Sequence, residues 1–174
     1  MKKIVSVFLL ILMLANVCSM TSCDFMKQEE GSDGLIFRLN EDGETCTLVG
    51  TQNCMDTDIV IPSSFKGKKV TGIDKFAFSE FSKTKIKNIT IPDTVVYANS
   101  LSFSYLDHEG IYRDIQIDTI TLERKLSNDN VERLKFLYLF FTGNESIPES
   151  TTVVLEDAIL YYDELEEAWI VNRK

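Results

Sequence analysis

The chain has 174 residues, of which 44% are hydrophobic and 26% charged, and its formal net charge is −9. This composition excludes a disordered tail and a polytopic membrane protein. The length suits one domain or a very short repeat array, and excludes the two-domain scaffold of most cofactor enzymes. An acidic surface repels phosphate backbones, so nucleic acid is not a predicted partner. We interpret the local basic cluster as solvated loop charges: Lys66, Lys68, Lys69, Lys75, Lys83, Lys85 and Lys87.

Residues 1–22 have the layout of a lipoprotein signal peptide. Two lysines precede an apolar stretch from residue 4 to residue 15, which is shorter than the roughly 20 residues of a membrane-spanning helix. The segment Met20-Thr21-Ser22-Cys23 comes next and resembles the bacterial lipobox. The resemblance implies export, cleavage before Cys23 and a lipid anchor on that cysteine, which makes the membrane a partner of the chain.

An ordinary signal peptide followed by a chance cysteine remains the alternative to this interpretation. Cys18 fits a lipobox less well than Cys23, because the bulky Val17 stands where a small residue is required. Residues 23–34 contain little to bury and include two glycines, so they are predicted to form a flexible tether between the lipid and the domain.

Two further cysteines, Cys46 and Cys54, lie within the predicted domain. In an exported chain such a pair is compatible with a disulfide, and equally with two buried free thiols. Seven residues separate them and no histidine lies nearby, which matches no standard zinc pattern. The sequence therefore predicts no metal site and no cofactor.

A β-hairpin is predicted for residues 35–50. Two strand-like runs, 35–39 and 45–49, flank the segment Asn40–Glu44, whose Asp-Gly step readily supplies a turn with positive φ.

Beyond the hairpin, residues 57–125 contain degenerate repeats. Ile59-Val60-Ile61-Pro62 returns 30 residues later as Ile89-Thr90-Ile91-Pro92, and 31 residues further on as Ile120-Thr121-Leu122. The segment Val70–Phe78 aligns with Val95–Phe103 at a spacing of 25 residues. Repeats of this kind stack so that each copy completes the core of the next.

This periodicity predicts which side chains become neighbours. We expect Ile59, Ile89 and Ile120 to form one ladder, and Phe78 and Phe103 to form another. The hairpin, the Ile-x-Ile-Pro strands and the Val-Thr-x-Ile-x-x-x-Ala-Phe segment together resemble the BspA-like leucine-rich repeat proteins of bacterial surfaces. The resemblance implies a leucine-rich repeat domain over residues 35–174, exposure at the cell surface and a role in adhesion.

The C-terminal part, residues 126–174, is predicted to be a helical cap. A helix is expected from Asp129 to Phe141, with a strand over Phe136–Phe141 as the alternative. Apolar residues at helical spacing predict a second helix from Glu156 to Ala168, with Trp169 as its anchor. The expected fold class is therefore α+β and β-rich, a short leucine-rich-repeat-like solenoid with an N-terminal β-hairpin and a helical C-terminal cap.

No catalytic residues are predicted. The only histidine, His108, lies in a polar run typical of an exposed loop, and neither a hydrolase triad nor a Gly-x-Ser-x-Gly motif is present in the sequence. The candidates for ligand contact are the tyrosines Tyr105 and Tyr112. The sequence thus predicts a protein that is not an enzyme.

The predicted function is that of a lipid-anchored leucine-rich repeat protein of the outer membrane or cell surface. Its partners are expected to be a host protein or a glycan, bound across one face of the solenoid. The alternative is a structural or assembly component of the bacterial envelope, which binds an envelope protein through the end of its solenoid.

Overall fold

The computed structural model describes residues 31–52, 54–126, 147–166 and 168–174. These residues form strands and one short 3₁₀ helix, Ser79–Lys83. The strands are β1 (Leu35–Leu39), β2 (Thr45–Thr51), β3 (Asp58–Val60), β4 (Ser64–Phe65), β5 (Lys68–Ile73), β6 (Ile86–Ile91), β7 (Tyr97–Ala98), β8 (Ser104–Leu106), β9 (Tyr112–Asp114), β10 (Ile117–Leu122), β11 (Thr152–Val154), β12 (Ala158–Asp163) and β13 (Ala168–Arg173).

The strands make two mixed sheets and a separate hairpin. The first sheet has the order β1-β2-β5-β4, with β7 also paired to β5. The second has the order β13-β12-β11-β10-β6-β3, and β8 and β9 form the hairpin. One of the sheets curls into half a barrel. No helix among the described residues has the length and apolar character needed to cross a membrane.

The N-terminal hairpin forms where the sequence predicts it, with β1 antiparallel to β2. Its turn is held by Asp42, whose carboxylate accepts the backbone N–H groups of Glu44 and Thr45 at 2.9 Å each and the Thr45 hydroxyl at 2.6 Å. These hydrogen bonds, above all the one from the hydroxyl, hold the pKa of Asp42 below its ordinary value. Gly43 supplies the positive φ of 67° that the turn requires.

The two predicted ladders are confirmed. Ile59 pairs with Ile89, and Ile89 with Ile120, in parallel register across β3, β6 and β10. All three side chains are fully buried, and each contributes about 1.5–3 kcal/mol by leaving water. The rings of Phe78 and Phe103 are stacked, with 5.4 Å between their centroids.

The predicted fold class is nevertheless wrong, because the described residues form neither a leucine-rich repeat solenoid nor a helical cap. The parallel ladder does not end on a helix. It continues through β11 into the antiparallel strands β12 and β13 of the same sheet. The structure is thus nearly all β, with mixed sheets in place of regular coils. The predicted helix from Asp129 to Phe141 lies outside the described residues.

The C-terminal hairpin replaces the second predicted helix for a local reason. Burial alternates along β12, with Ala158 and Leu160 inside, which is the period of a strand. The Asp163 carboxylate then accepts the backbone N–H groups of Leu165 and Glu166 at 2.9 and 3.2 Å. Aspartate favours turns through such local bonds, so the chain reverses where the sequence predicts that the helix continues. Trp169 lies in β13 and meets the ring of Tyr162 edge to face.

A buried arginine joins three segments beside the second sheet. Arg124 is 1% exposed, and its Nη2 donates to the carbonyls of Pro92 at 2.9 Å and Val95 at 2.7 Å. The Arg124 carbonyl accepts the backbone N–H of Glu156 at 3.0 Å. The turn after β6, the end of β10 and the loop between β11 and β12 are therefore connected through one residue.

The end of the predicted tether is attached to the domain. The Ser32 backbone N–H donates to the Val60 carbonyl at 2.9 Å, and the Val60 N–H donates to the Ser32 hydroxyl at 3.0 Å. The hydroxyl also donates to the Asp58 carbonyl at 3.4 Å. Ser32 thus lies along β3, the outer strand of the second sheet.

Candidate functional site

A cleft of about 350 Å³ lies between the 3₁₀ helix and the β8–β9 hairpin. We refer to it as the Tyr105 cleft. It brings together one half-buried aromatic ring, two lysines and several polar residues. Its lining residues are Phe81, Ser82, Lys83, Thr84, Lys85, Tyr105, Asp114 and Gln116.

One wall is fixed by the 3₁₀ helix. Phe81 is 5% exposed and anchors this helix in the core. Its backbone N–H donates to the Phe78 carbonyl at 2.9 Å, and its carbonyl accepts the Thr84 N–H at 3.1 Å. The residues between Phe78 and Thr84 therefore form a short turn that is closed by backbone hydrogen bonds, and their side chains project from this turn. The Ile86 N–H donates to the Gln116 carbonyl at 2.9 Å and joins this wall to the segment before β10.

The other wall is the β8–β9 hairpin. Tyr105 is half-buried and packs against the hydrophobic core. The hairpin loop is held by Asp107, whose carboxylate accepts hydrogen bonds from the Ile111 N–H and from the Arg113 Nε–H, both at 2.9 Å. These contacts, first the bond from Ile111, hold the pKa of Asp107 below its ordinary value. The strand that carries Asp114 is thus positioned by its own loop.

The charges in the cleft are only partly paired. Lys85 forms an ion pair with Asp118 at 2.5 Å. Lys83 has no ion-pair partner among the residues that the structure describes. Asp114 is exposed as a residue, but desolvation of its carboxyl group raises its pKa above the ordinary value. The register pairs Asp114 with Ser104, so Asp114 lies on the face of the hairpin opposite to Tyr105.

The structure separates the two predicted contact residues. Tyr105 pairs with Arg113 across the hairpin, and Tyr112 pairs with Leu106. Because neighbouring positions of a strand point to opposite faces, Tyr105 and Leu106 lie on different sides. Tyr105 lines the cleft, while Tyr112 is 58% exposed and stacks on Phe76 at 5.9 Å between ring centroids.

The polar lining of the cleft is not apparent from the sequence. Lys83 and Lys85 are predicted there as members of a solvated basic cluster, and Asp114 and Gln116 are not predicted as site residues. The one available signal is the proximity of Lys83 and Lys85 to the buried Phe81, but the approach of β9 to this turn is a long-range contact that no local pattern predicts. Of the other predicted site residues, Cys23 lies outside the described part of the chain.

Cys46 and Cys54 are both buried free thiols in the structure. The Cys46 thiol donates to the Lys69 carbonyl at 3.6 Å and to the Lys68 carbonyl at 3.7 Å. Burial raises the pKa of both thiols. Over the described ranges of the chain, no three side chains of His, Cys, Asp or Glu group together as a metal site requires.

We expect these two thiols to resist alkylation in the folded protein. At pH 7.5 a buried thiol with a raised pKa is almost entirely protonated, and the thiolate is the nucleophile. Iodoacetamide treatment followed by peptide mass spectrometry should therefore leave Cys46 and Cys54 unlabelled in the folded chain and fully labelled in denaturant. Rapid labelling without denaturant would contradict their burial, and failure to label in denaturant without reductant would show that they are oxidised.

Comparisons with known proteins returned no relative. No family model matches the chain. No curated protein and no solved structure matches it either.

Proposed function

We propose that the protein is a lipid-anchored binding module of the bacterial cell envelope, which holds its ligand in the Tyr105 cleft. The observation that supports binding is the composition of this cleft. A half-buried tyrosine lines the same concavity as the polar residues Ser82, Lys83, Thr84 and Gln116. Small-molecule sites are concave, and combine apolar surface with a few placed polar groups.

The sequence supports the attachment to a membrane. The lipobox-like segment ending at Cys23 comes after a short apolar stretch, and lipidation with more than one acyl chain gives stable anchoring. The resemblance of residues 35–103 to BspA-like surface proteins supports exposure at the outer surface and an adhesive role. The ligand in this proposal is a host protein or a glycan.

Protease digestion of intact cells tests the location. We expect the wild-type protein to be digested by added protease and Cys23→Ser to be released from the membrane, because the variant lacks the thiol that takes the lipid. The control is a periplasmic protein, which must stay intact throughout. Protection of a membrane-bound wild-type protein would contradict surface exposure, and membrane retention of Cys23→Ser would contradict the lipid anchor.

A second candidate function is docking to an envelope protein. The observation that favours it is an apolar patch on the other face of the β8–β9 hairpin, formed by Phe76, Leu106 and Tyr112. Two of these side chains are exposed: Leu106 and Tyr112. A photo-crosslinking residue at position 112 should then capture one envelope protein in intact cells, whereas the same residue at position 97 should not.

A further inference from the structure

The isoleucine ladder continues through all six strands of the second sheet. Beyond Ile120 its register runs on through β11, β12 and β13, and residues paired across strands share one face of a sheet. The full series is Ile59, Ile89, Ile120, Val153, Leu160 and Val171. The first five of these side chains are buried, and Val171 is 44% exposed. The core face of the sheet therefore ends on an apolar side chain that is only partly covered.

The backbone of Val171 points to the outer side of β13. In an antiparallel pair, opposed residues alternate between pairs that exchange both backbone hydrogen bonds and pairs that exchange none. The Lys174 N–H donates to the Asp157 carbonyl at 3.0 Å, which marks a bonded position. Arg173, one step along the strand, is then at a non-bonded position, and so is Val171. The N–H and C=O groups of these two residues are therefore directed away from β12.

A hydrogen bond on the other side of β12 supports this assignment. The Ala158 carbonyl accepts the Leu155 N–H at 2.8 Å, so the backbone polar groups of Ala158 face β11. Ala158 is the partner of Arg173 in the ladder between β12 and β13. The same alternation turns Leu160, the partner of Val171, toward β11. The two sides of β12 thus give the same direction for the backbone of Val171.

The outer edge at β13 lacks the features that protect the other sheet edges. Natural edges are commonly short, bulged or covered by another segment. β1 has a register shift between Ile36 and Phe37, β4 and β7 have two residues each, and Ser32 lies along β3. β13 has six residues in regular register with β12, and no strand among the described residues pairs with its outer side. This edge is therefore a template for an added strand.

A second copy of this chain fits the edge, because the pattern around Val171 is self-complementary. When two β13 strands pair antiparallel about a two-fold axis at this residue, Val171 lies opposite Val171 of the second copy. Both side chains then lie on the core face, and the apolar ladder continues from one copy into the other. A strand of another protein would need an apolar residue at this same register position.

The charges near the edge favour the antiparallel arrangement. The chain has a net charge of −9, which opposes the approach of two copies over long distances. The turn before β13 contains the exposed residues Glu164 and Glu166, and the strand ends at the exposed Arg173. Antiparallel pairing brings the basic end of each strand toward the acidic turn of the other, whereas parallel pairing would place like charges together.

We propose that the protein forms a two-fold symmetric dimer through β13, in which the two second sheets join into one continuous sheet. The backbone N–H and C=O groups of Val171 exchange hydrogen bonds with those of Val171 in the second copy. Association stops at two copies, because a two-fold contact uses the same edge of both chains and Ser32 lies along the edge at β3. This inference goes beyond the proposed function and depends neither on the Tyr105 cleft nor on Cys23.

Cysteine crosslinking of the full-length chain tests the register. Val171→Cys should form an intermolecular disulfide on mild oxidation, because the Cα atoms of bonded antiparallel partners are about 5.5 Å apart, a distance that a disulfide spans. Asn172→Cys is the matched control. Asn172 is exposed on the same strand, but its two copies lie diagonally, about 7–8 Å apart, which is too far for a disulfide. Non-reducing electrophoresis measures the crosslinked fraction, and the wild-type chain gives the background from the native cysteines.

The association state gives an independent measurement. Analytical ultracentrifugation of the full-length chain in detergent micelles should show a dimer for the wild type and for Val171→Thr, which keeps a β-branched side chain. Val171→Lys should weaken dimerisation at least about tenfold, because two ammonium groups meet at the two-fold axis. Val171 is partly exposed, so the lysine variant should fold as the wild type does, and circular dichroism checks this.

The expected result is a dimeric wild type, a folded monomeric Val171→Lys and crosslinking confined to position 171. The proposal is overturned if the wild type stays monomeric throughout the concentration series, or if Val171→Lys dimerises as tightly as Val171→Thr. Equal crosslinking of Asn172→Cys and Val171→Cys would contradict the register. Crosslinking of position 171 to a different protein alone would assign the edge to another occupant and would also overturn the dimer.

Discussion

Replacing Arg124 with alanine is expected to lower the free energy of unfolding by about 4 kcal/mol. Arg124 is the largest of the fully buried side chains among the described residues, and its Nη2 bonds two carbonyls, those of Pro92 and Val95. The alanine variant leaves a cavity and deprives both carbonyls of this donor. Chemical denaturation measures the change, which corresponds to a fall in melting temperature of about 8–16 °C for a domain of this size.

The neighbouring residue provides the control for this experiment. Lys125 is exposed, and its ion pair with Glu156 is long, at 3.9 Å. Surface ion pairs contribute about 0–1 kcal/mol, so Lys125→Ala should unfold almost as the wild type does. Arg124→Met keeps much of the volume and should recover about half of the lost stability. An Arg124→Ala variant that loses less than about 1 kcal/mol would show that the hydrogen bonds to the turn after β6 are dispensable.

The central position of the isoleucine ladder gives the second large effect. Ile89 is fully buried between Ile59 and Ile120, so Ile89→Ala should lower the free energy of unfolding by about 3 kcal/mol through lost burial and a residual cavity. Ile89→Val removes one methyl group and should lose about 1 kcal/mol. Both values come from urea titrations monitored by circular dichroism.

The matched control for Ile89 lies on the same strand. Lys87 is exposed on β6, and Lys87→Ala should stay within about 0.5 kcal/mol of the wild type. Equal destabilisation by Lys87→Ala and Ile89→Ala would mean that the strand, and not the ladder, determines the loss. A negligible effect at Ile89 would contradict the register of β3, β6 and β10.

The sequence correctly predicts those parts of the fold that depend on a local pattern or on a repeat. The Asp42-Gly43 turn predicts the first hairpin, and the 30-residue recurrence predicts the pairing of Ile59 with Ile89. Repetition is informative because stacked copies place equivalent residues side by side. The chain beyond the ladder contains no further copy of the repeat, so the order β10-β11-β12-β13 has no comparable signal in the sequence.

The C-terminal error has a specific origin. Between Ala158 and Trp169 the apolar residues satisfy both a helical and a strand period for part of their length. The turn at Asp163 decides between the two, and aspartate within a helical pattern is too common to signal a turn by itself. In the structure this turn leaves Leu165 95% exposed, a position that a cap helix would have buried.

The candidate site is predictable only in part. The sequence predicts both Tyr105 and Tyr112 as contact residues and does not distinguish between them. Neighbouring residues of a strand point to opposite faces, and the register of the hairpin, which decides the face of each tyrosine, is not apparent from the pattern. Lys83 and Asp114 reach the cleft from segments 31 residues apart in the chain. Their meeting depends on the packing of the 3₁₀ helix against β8, which no single-sequence pattern encodes.

In the proposed lipid-anchored form, the attachment of Ser32 to β3 determines which edge of the domain lies nearest the anchor. An outer strand presents unpaired N–H and C=O groups that invite another chain to pair with it, and Ser32 occupies part of this row. Cys23 precedes Ser32 by nine residues, so a lipid on Cys23 lies within about 30 Å of this edge even when the intervening chain is fully extended. In that form the edge at β3 would be held within this distance of the bilayer, and β13, at the opposite end of the same sheet, would be able to point away from it.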